Sequence, residues 1–428
     1  AELPIGSLLP ATTFEPHLQG TGMTEHSGEI AVTIVMPCLN EMDSLGYCIE
    51  RAKQALQEIE TRYQLRGEIL ISDNGSTDGS QGFAESKGAV VEHCTEKGYG
   101  NALRWGLSHA KGKYLIMADA DGSYDFLQSP DMIGKLLEGF DVCMGSRFLG
   151  EILPGAMPWK NRYLGNPILT GILNLFFRTG VSDAHCGLRA FTKEAIEKIA
   201  PTSTGMEFAS ELVIKAKMLG LSQTELPITL SPDKRDREPH LRPWRDGWRH
   251  LRYLIMLSPT WLFFLPALLT GIVGIGLFTA LLVLDDTPGQ VVTVFNLKVG
   301  DHWAIIAGGL INISHLSLVM GIAMVMEGIK SKYRRAQDYP TIIFKLCRLE
   351  YMLLLGTFSI LVGLGILIYT LNVWSTNNFG GLHMIREMVL ATTLCVVGVQ
   401  NIFCGFLLSS LADNTNLIDA IEDLEALR

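Results

Sequence analysis

Four long apolar segments in the second half of the chain constrain its fold more than any other feature. They run over Pro259–Leu284, Trp303–Met326, Tyr351–Leu371 and Met388–Leu411. Each reaches the roughly 20 residues that an α-helix needs to cross the hydrocarbon core of a bilayer. A buried helix of a water-soluble domain can be equally apolar, but four such segments in succession are typical of a membrane protein. The sequence therefore predicts a transmembrane domain of four helices over residues 258–411.

The distribution of Lys and Arg predicts the orientation of these helices. Cations are frequent before the first apolar segment and between the second and the third, whereas the loops Asp285–Asp301 and Asn372–Glu387 contain only Lys298 and Arg386. Loops rich in Lys and Arg stay on the cytosolic side of a membrane. We therefore expect the large N-terminal part of the chain, the second loop and the C-terminus to lie in the cytosol.

The N-terminal part, from Ile30 to Leu230, alternates short β-branched segments with amphipathic ones. This alternation predicts β-α-β units and a mainly parallel sheet, which binds ligands beyond the carboxyl ends of its strands. Strands are predicted at Ala31–Met36, Glu68–Ser72, Val90–His93, Tyr114–Met117 and Asp141–Gly145. Helices are predicted at Glu41–Ile59, Asp78–Ser86, Gly100–His109, Pro130–Glu138 and Glu207–Leu219.

Composition divides the chain into five parts and argues against two classes of function. A net charge of −9 disfavours nucleic-acid binding, which needs a basic face. The eight cysteines contain no C-x-x-C pair, so neither a zinc site nor a disulfide-exchange site is indicated. The five parts are a flexible tail (1–28), the α/β domain (29–230), a basic and aromatic juxtamembrane segment (231–257), the membrane domain (258–411) and an acidic cytosolic tail (412–428).

Polar segments follow the first two predicted strands. The first runs from Pro37 to Glu41 and reads PCLNE, and the second begins at Asp73 and reads DNGSTDG. An Asp at the end of a strand can accept hydrogen bonds from a nucleotide base, and Asp78 is expected to cap the next helix. Each segment also fits an ordinary turn, because turns are rich in Asp, Gly and Ser.

A third segment, EKGYGN over residues 96–101, combines Lys97 with two glycines ahead of a helix. Glycines let the backbone approach a ligand closely, and the N-terminus of a helix attracts phosphate. The pattern predicts a loop that binds a diphosphate, and the alternative is a tight turn.

The most specific pattern is MADADGSYD over residues 117–125, in which an apolar strand leads directly into Asp119 and Asp121. Side chains spaced i, i+2 in an extended segment point the same way, and two such carboxylates are costly to hold together without a cation. Hard oxygen ligands select Mg²⁺ or Mn²⁺. We therefore expect a metal site that also holds phosphate oxygens; the alternative is an Asp-rich turn after an edge strand.

In order and spacing these four segments resemble the nucleotide-binding half of the inverting glycosyltransferases of the GT-A fold. The polyprenyl-phosphate sugar synthases, such as dolichyl-phosphate mannose and glucose synthases, are the most similar. The resemblance continues in GSRF (145–148), in NR (161–162) and in DAHCGLR (183–189), which is more similar to the glucose-transferring and bacterial branches. It covers about Ile30 to Leu230 and implies an α/β GT-A catalytic domain, with a Rossmann-like mixed sheet, ahead of the four helices.

The resemblance implies a set of donor, metal and acceptor residues. At the donor, Pro37, Leu39 and Glu41 would surround the base and the ribose, and Asp73 would contact the edge of the base. Lys97 and Gly98 would border the donor. Asp119 would bind the ribose or the metal. Asp121 would ligate the metal, and the acceptor phosphate would bind Arg147 and Arg162, with Arg189 as a further candidate. The catalytic set would be Asp119, Asp121, Arg147 and Arg162.

Two positions depart from the family pattern. Ser123 replaces a Gln that often serves as a further metal ligand, so Asp125 or a water molecule would take that place. Asn74 replaces the second residue of the usual Asp-Asp-Gly-Ser, which leaves Asp73 as the residue that would contact the base.

The resemblance also implies the reaction. A polyprenyl phosphate would displace the nucleoside diphosphate of a nucleotide sugar with inversion; a UDP-sugar is favoured, with UDP-glucose as the first candidate. Since a lipid phosphate is already ionised, catalysis needs charge neutralisation and alignment rather than a side-chain base. Asp183, His185 and Glu211 would organise loops or contact the transferred sugar.

Two other functions fit parts of the pattern. The first is a processive polysaccharide synthase or a glycolipid synthase, although the chain lacks the Thr-Glu-Asp and Gln-x-x-Arg-Trp motifs typical of processive enzymes. The second is a non-catalytic lipid transporter or scaffold that retains only the domain. The expected partners are a nucleotide sugar, a polyprenyl phosphate and the membrane, and assembly into a homo-oligomer is left open.

Two further features concern the membrane. Ile168–Phe177 is apolar but too short to span a bilayer. It is either an interfacial helix that brings the lipid phosphate to Arg162 or a buried helix of the catalytic domain. The polar residues expected to pair between membrane helices are Asn312, His315, Gln400 and Asn401.

Overall fold

The chain folds into an α/β domain followed by four long apolar helices. The computed structural model describes residues 29–234, 243–283, 292–294, 297–381 and 384–413. The predicted flexible tail (1–28), part of the juxtamembrane segment (235–242), much of the first loop of the membrane domain and nearly all of the predicted acidic tail lie outside the described residues.

Seven strands form one mixed sheet in the order β3-β2-β1-β4-β6-β5-β7. The strands are β1 (Val32–Cys38), β2 (Gly67–Asp73), β3 (Val90–His93), β4 (Tyr114–Met117), β5 (Val142–Ile152), β6 (Arg189–Thr192) and β7 (Gln223–Leu230). Strand β1 is parallel to β2 and β4, and only β6 is antiparallel to its neighbours β4 and β5. The predicted mixed α/β sheet is confirmed.

The five predicted strands are all present, but the sequence pattern did not predict β6 and β7. Strand β6 has four residues and lies at the end of the segment DAHCGLR, where its apolar side chains give no clear period. Strand β7 contains Pro227, which is unfavourable inside a sheet and is accommodated here on an edge strand. Strand β5 also continues to Ile152, past its predicted end at Gly145.

Helices cover both faces of this sheet. Along β1, Ile34 belongs to the buried cluster that contains Ile49 of one helix, and Val35 belongs to the cluster that contains Leu103 of another. Because both faces are covered, β1 is apolar at nearly every position. The helices are α1 (Met42–Tyr63), α2 (Ser80–Ser86), α3 (Tyr99–His109), α4 (Ser129–Leu137), α5 (Asn166–Phe177), α6 (Lys193–Ile199) and α7 (Phe208–Met218).

The second half of the chain is helical and exposes apolar side chains along most of its length. Phe358 and Phe403 are 67% and 70% exposed. Exposure of this extent on four successive helices requires lipid rather than water, so the predicted four-helix membrane domain is confirmed. The helices are α8 (Pro243–Met256), α9 (Leu265–Val283), α10 (His302–Lys330), α11 (Thr341–Leu346), α12 (Leu349–Thr376) and α13 (Ile385–Asp413), of which α9, α10, α12 and α13 are long and apolar enough to span a membrane.

Polar side chains join two of the membrane helices. The two ring nitrogens of His315, on α10, lie 2.8 and 3.0 Å from the side-chain oxygens of Gln400 and Asn401 on α13. The expected pairing of these three residues is therefore present. Asn312 differs, because its Nδ2 donates to the carbonyl of Gly308 within its own helix.

The loop between α10 and α11 lies against the α/β domain. Lys215 Nζ, on α7, is 5.8 Å from the ring centre of Tyr333. Arg334 donates a hydrogen bond to the carbonyl of Leu257, just after α8. These contacts place the α/β domain, α8 and this cation-rich loop on one side of the membrane domain, in agreement with the grouping that the cations predicted.

Labelling with a membrane-impermeant maleimide tests this arrangement. Lys87→Cys in the α/β domain and Lys332→Cys in the loop after α10 should react from the same side of sealed vesicles. Asn377→Cys should react from the other side, because α12 crosses the membrane between them; all three positions are exposed. The unmodified chain gives the background, since its cysteines are buried or only partly exposed. Reaction of the first two variants from opposite sides would contradict the fold.

Candidate active site

The loops that follow β1, β2 and β4 meet at one edge of the sheet. Strand β1 is parallel to both neighbours, and Cys38 at its end lies opposite Asp73 at the end of β2. The carboxyl end of β4 lies at the same edge and leads into Asp119 and Asp121. The segments predicted to bind the donor are thus adjacent in the fold, as parallel pairing requires.

The loop after β1 is tied to the loop after β2. Asn40 adopts a left-handed φ of 56°, which Asn tolerates better than most residues, and its Oδ1 accepts from the N–H of Thr77 at 2.7 Å. Pro37 and Leu39 are half-buried beside this junction, and Glu41 is buried at the start of α1. The three residues predicted around base and ribose therefore lie together at this junction of the two loops.

Asp73 forms hydrogen bonds within its own turn. It is 1% exposed, and its Oδ2 accepts from the N–H of Gly75 at 2.9 Å and from Gln81 Nε2 at 2.6 Å. The N–H of Ser76 lies 3.2 and 3.1 Å from the two carboxylate oxygens. A carboxylate has about four lone-pair positions, so a nucleotide base would have to use those that the turn does not occupy.

Asn74 organises the neighbouring loop, although it was not among the predicted site residues. Its Nδ2 donates to the carbonyls of Cys94 (3.2 Å) and Glu96 (2.7 Å), and its Oδ1 accepts from the N–H of Gly98 (2.9 Å). Lys97 Nζ donates to the carbonyl of Asn74 at 2.6 Å. An Asp at this position would place a carboxylate against two carbonyl oxygens. The departure from the family pattern at Asn74 therefore has a structural cause.

Gly98 and Gly100 are required by packing inside the domain. A methyl group at Gly98, whose φ is 138°, would lie 2.4 Å from the carbonyl oxygen of Thr204, and one at Gly100 would lie 2.3 Å from that of Ser203. The space that a side chain would need is thus filled by the backbone ahead of α7. This corrects the interpretation of the two glycines as room for a diphosphate, although Lys97 and Gly98 remain beside the loop after β2.

Asp119 and Asp121 are each held by a neighbouring hydroxyl group. Tyr99 Oη donates to Asp119 Oδ1 at 2.9 Å, and burial together with the charge of Asp119 raises the pKa of Tyr99 well above its usual value. Asp121 is buried, and its Oδ1 accepts from the N–H (2.9 Å) and Oγ (2.5 Å) of Ser123. Ser123 therefore orients Asp121.

The carboxylate pair fits a divalent cation only together with ligands from a substrate. Within the parts of the chain that the structure describes, no group of three or more His, Cys, Asp or Glu side chains is arranged to hold a metal. Asp125 does not complete the set, because its two oxygens accept from Arg51 Nε (3.0 Å) and Nη2 (2.5 Å). This corrects the prediction that Asp125 is a metal ligand. Asp119 and Asp121 supply hard oxygen ligands of the kind found in Mg²⁺ and Mn²⁺ sites, which donor phosphates would complete.

The segment that leaves β7 forms part of the same site, which the sequence analysis missed. The N–H of Ser231 donates to the carbonyl of Ser123 and that of Lys234 donates to the carbonyl of Asp121, both at 2.9 Å. Lys234 Nζ lies 3.3 Å from the ring centre of Tyr47. The segment carries no motif, and only its pairing with the loop after β4 brings a cation beside the carboxylates.

Arg147 and Asp183 form a buried ion pair. Arg147 Nε and Nη2 donate to the two carboxylate oxygens at 2.6 and 2.8 Å, and the side chains are 9% and 0% exposed. Burial opposes the charge of Arg147, but Tyr124 and Asp183 raise its pKa above the ordinary value. The pair satisfies both charges inside the domain without a ligand. Binding of the acceptor phosphate by Arg147 and of the sugar by Asp183 therefore stay predictions.

Arg189 is enclosed in the core. It is 0% exposed, and its Nε, Nη1 and Nη2 donate to the backbone carbonyls of Cys186, Ala209 and Ala184, each at 2.8 Å. Burial lowers the pKa of its guanidinium, which these carbonyls compensate. The prediction that Arg189 binds the acceptor phosphate is therefore corrected, since the side chain joins β6 to the start of α7.

Glu211 and His185 are the remaining residues predicted to contact the sugar. Glu211 is buried and pairs with Lys215 Nζ at 2.6 Å; burial alone would raise its pKa, but Lys215 and two backbone N–H groups lower it. Glu211 therefore ties α7 to the backbone of Thr202 and Ser203. His185 Nε2 lies 3.3 Å from Ser210 Oγ.

Arg162 lies on a π-helical turn, Asn161–Gly165, beside an exposed apolar surface. Ile168, at the start of α5, is 55% exposed. At the other end of α5, Phe176 stacks on Trp261 at the start of the first membrane-spanning segment, with ring centres 5.4 Å apart and 22° between the planes. The helix is thus buried on one face only, and its other face is open beside the membrane domain.

A mixed sheet with a carboxylate pair after β4, continued by four membrane helices, defines an integral membrane glycosyltransferase with a GT-A-like domain. Comparison with known families agrees: residues 33–200 match glycosyl transferase family 2, and residues 321–412 match the glycosyltransferase family 2 C-terminal transmembrane region. The chain belongs to glycosyltransferase family 2.

Two relatives and one solved structure are similar to this chain. The low-salt glycan biosynthesis hexosyltransferase Agl6 of Haloferax volcanii is 36% identical over 386 residues, which cover 89% of each chain. The glycosyltransferase AglJ of the same organism is 32% identical over 218 residues, 51% of this chain and 68% of AglJ. Glucosyl-3-phosphoglycerate synthase from Mycobacterium tuberculosis aligns with a TM-score of 0.40 and 20% identity, over 53% of this chain and 78% of its own.

Arg189→Met tests the structural role of this arginine. The variant keeps the apolar stem but leaves three buried carbonyls without donors, so the free energy of unfolding should fall by about 3 kcal/mol or more. Thermal unfolding in detergent measures the change. Arg178→Met, at the exposed end of α5, is the matched control and should shift stability by less than about 0.5 kcal/mol. Wild-type stability of Arg189→Met, with loss of lipid-phosphate binding, would restore the acceptor prediction.

Proposed function

We propose that this glycosyltransferase moves a hexose from a nucleotide sugar onto a polyprenyl phosphate at the cytosolic face of the membrane, with inversion at the anomeric carbon. The observation that carries the proposal is the exposed apolar surface beside Arg162, which continues along α5 to the stacking of Phe176 on Trp261 at the first membrane-spanning segment. The same domain carries Asp119 and Asp121 at the edge of its sheet. A soluble nucleotide sugar and a membrane-bound phosphate would each find a suitable surface on this one domain.

The donor would bind along the edge formed by the loops after β1, β2 and β4. Membership of the family supports a nucleotide sugar, and the hexosyltransferase Agl6, aligned over 89% of this chain, supports a hexose as the transferred group. We propose a UDP-sugar, with UDP-glucose as the first candidate, on the resemblance of residues 183–189 to the glucose-transferring branch. Pro37, Leu39, Glu41 and Asp73 would surround base and ribose.

The acceptor would approach from the bilayer. Trp159 and Ile168, on either side of Arg162, are 62% and 55% exposed. Aromatic and apolar side chains of this kind insert at the level of lipid headgroups, where cations bind anionic lipids. The apolar chain of the acceptor could stay in the bilayer while its phosphate reaches Arg162. Since Arg147 and Arg189 are engaged inside the domain, Arg162 is the arginine that we assign to the acceptor.

The reaction would be a single displacement. An oxygen of the lipid phosphate forms a bond to the anomeric carbon while the bond from that carbon to the nucleoside diphosphate breaks, and the bonding electrons leave with the diphosphate. No proton has to move, because the attacking phosphate is ionised. Arg162 would hold that phosphate through charge-assisted, bidentate hydrogen bonds. Asp119 and Asp121 would hold a divalent cation, Mg²⁺ or Mn²⁺, which supplies positive charge to stabilise the departing diphosphate.

Asp121→Asn tests the metal site. The amide keeps the size of the side chain and can still accept from Ser123, but it loses the charge that attracts a cation. Transfer should fall by about a hundredfold or more while the thermal unfolding temperature stays near the wild-type value. Asp125→Asn is the matched control, because Asp125 pairs with Arg51; it should retain metal-dependent transfer. Full turnover of the wild-type enzyme in excess chelator would contradict the metal site.

Arg162→Ala tests the acceptor site. Loss of charge-assisted hydrogen bonds worth roughly 1.5–3 kcal/mol should lower the rate about ten- to hundredfold, mainly through its dependence on lipid concentration. Donor affinity, measured with the nucleotide sugar and Mn²⁺ on the same preparation, should change little. Arg162→Lys should restore only part of the loss, because an ammonium group cannot form the bidentate contact.

Arg178→Ala provides the matched control for Arg162→Ala, because Arg178 is an exposed arginine at the far end of α5. It should leave the response to lipid unchanged. An Arg162→Ala enzyme that loses donor affinity but responds normally to lipid would refute the acceptor assignment.

A further inference from the structure

A chain of hydrogen bonds connects the juxtamembrane helix α8 to the loop beside the carboxylate pair. Ser210 Oγ, on α7, lies 2.8 Å from His250 Nδ1 on α8 and 3.3 Å from His185 Nε2. The two imidazole rings are 4.7 Å apart and nearly perpendicular, at 87°. We refer to His250, Ser210 and His185 as the imidazole relay.

The imidazole relay ends on the segment that passes beside Asp119. His185 is two residues before Gly187, where an added methyl group would lie 2.8 Å from Asp119 Oδ2. The other two members, His250 and Ser210, are buried between α8 and α7. The relay therefore runs through the interior of the protein, from α8 to the segment that passes beside Asp119 at Gly187.

His185 has one ring nitrogen that the protein leaves unused. Its Nδ1 is buried and has no hydrogen-bond partner among the residues that the structure describes. Burial, and then the charges of His250 and Arg147, lower the pKa of His185 well below its ordinary value, so the ring is neutral. Buried polar atoms in proteins are nearly always satisfied. This nitrogen is therefore a candidate contact for a bound substrate.

Ser210 determines whether that nitrogen donates or accepts. A serine hydroxyl carries one proton, so it donates to one of the two imidazoles and accepts from the other. When Ser210 donates to His250, His185 Nε2 carries the ring proton and its Nδ1 is a bare acceptor. When the order is reversed, His185 Nδ1 carries the proton. The tautomer of His185 is thus coupled through Ser210 to that of His250: a bare His250 Nδ1 leaves His185 Nδ1 as an acceptor, and a protonated His250 Nδ1 makes it a donor.

We propose that His250 is a positioning residue for glycosyl transfer: through Ser210 it holds His185 in one tautomer and orientation, so that Nδ1 contacts a hydroxyl group of the sugar being transferred. The inference rests on the proposed function as far as the sugar is concerned. It adds a role for α8, which would complete the sugar site from the membrane side. A sugar hydroxyl both donates and accepts, so it can satisfy whichever form of Nδ1 the relay selects.

Steady-state kinetics of relay variants test the proposal. His250→Phe keeps a ring but removes the hydrogen bond to Ser210, and Ser210→Ala removes the central hydroxyl; each should lower kcat about tenfold, while the affinity for UDP stays within about twofold. The double variant should be no slower than either single variant, because both break one relay. His250→Asn, whose amide lies close to the position of Nδ1, should recover most of kcat.

Two control variants separate positioning from packing. Ser108→Ala breaks another hydroxyl–imidazole contact, 3.1 Å to His109 on the exposed end of α3, and should leave kcat unchanged. Leu254→Ala, at a fully buried position of α8, loosens the packing of that helix without touching the relay. It should lower thermal stability more than His250→Phe does and kcat less.

Three results would overturn the proposal. They are wild-type kcat in Ser210→Ala, additive losses in the double variant, or a kcat of His250→Asn no higher than that of His250→Phe. Each variant is also assayed for hydrolysis of the nucleotide sugar without lipid, which needs the sugar site but no acceptor. If the wild-type enzyme hydrolyses the donor but does not glycosylate polyprenyl phosphate, the proposed acceptor is wrong, and the relay is still judged by hydrolysis.

Discussion

The apolar surface of the four long helices is the constraint on which the rest of the structure depends. Helices with this apolar surface are stable only in lipid, so the parts of the protein that pack against them are held at a fixed distance from the bilayer. Helix α8, the stacking of Phe176 on Trp261 and the loop that holds Tyr333 against Lys215 together attach the α/β domain to that frame. The α/β domain is thereby held against the membrane domain through α5, α7 and α8.

Three arginines show that residues of one type differ in their surroundings according to the tertiary contacts that each one makes. Arg189 donates to three backbone carbonyls in the core, Arg147 forms a bidentate pair with Asp183, and Arg162 lies on a turn with exposed apolar neighbours. All three carry the same charge and the same donors. They differ in the number of acceptors that the folded chain offers to each side chain, and our proposal assigns the acceptor phosphate to Arg162 on that difference.

The region between α7 and α8 links membrane anchoring to the site. The backbone ahead of α7 fills the space beside Gly98, Glu211 on α7 holds that backbone, and Ser210 meets His250 from the membrane side. A single helix thus touches the predicted donor loop on one side and the juxtamembrane helix on the other. Such an arrangement lets the position of α8 influence the site without any change in the residues that contact the donor.

The sequence by itself determined the architecture, because periodicity and length are local properties. It predicted the four membrane helices, five of the seven strands of the mixed sheet and the segments that meet at the sheet edge. It could not predict β6 and β7 or the position of Lys234, which depend on pairing between distant segments. Nor could it separate the roles of Asp125 and Asp121, which belong to one motif. Only the tertiary structure decided these, since a polar side chain takes its function from the partners that folding brings to it.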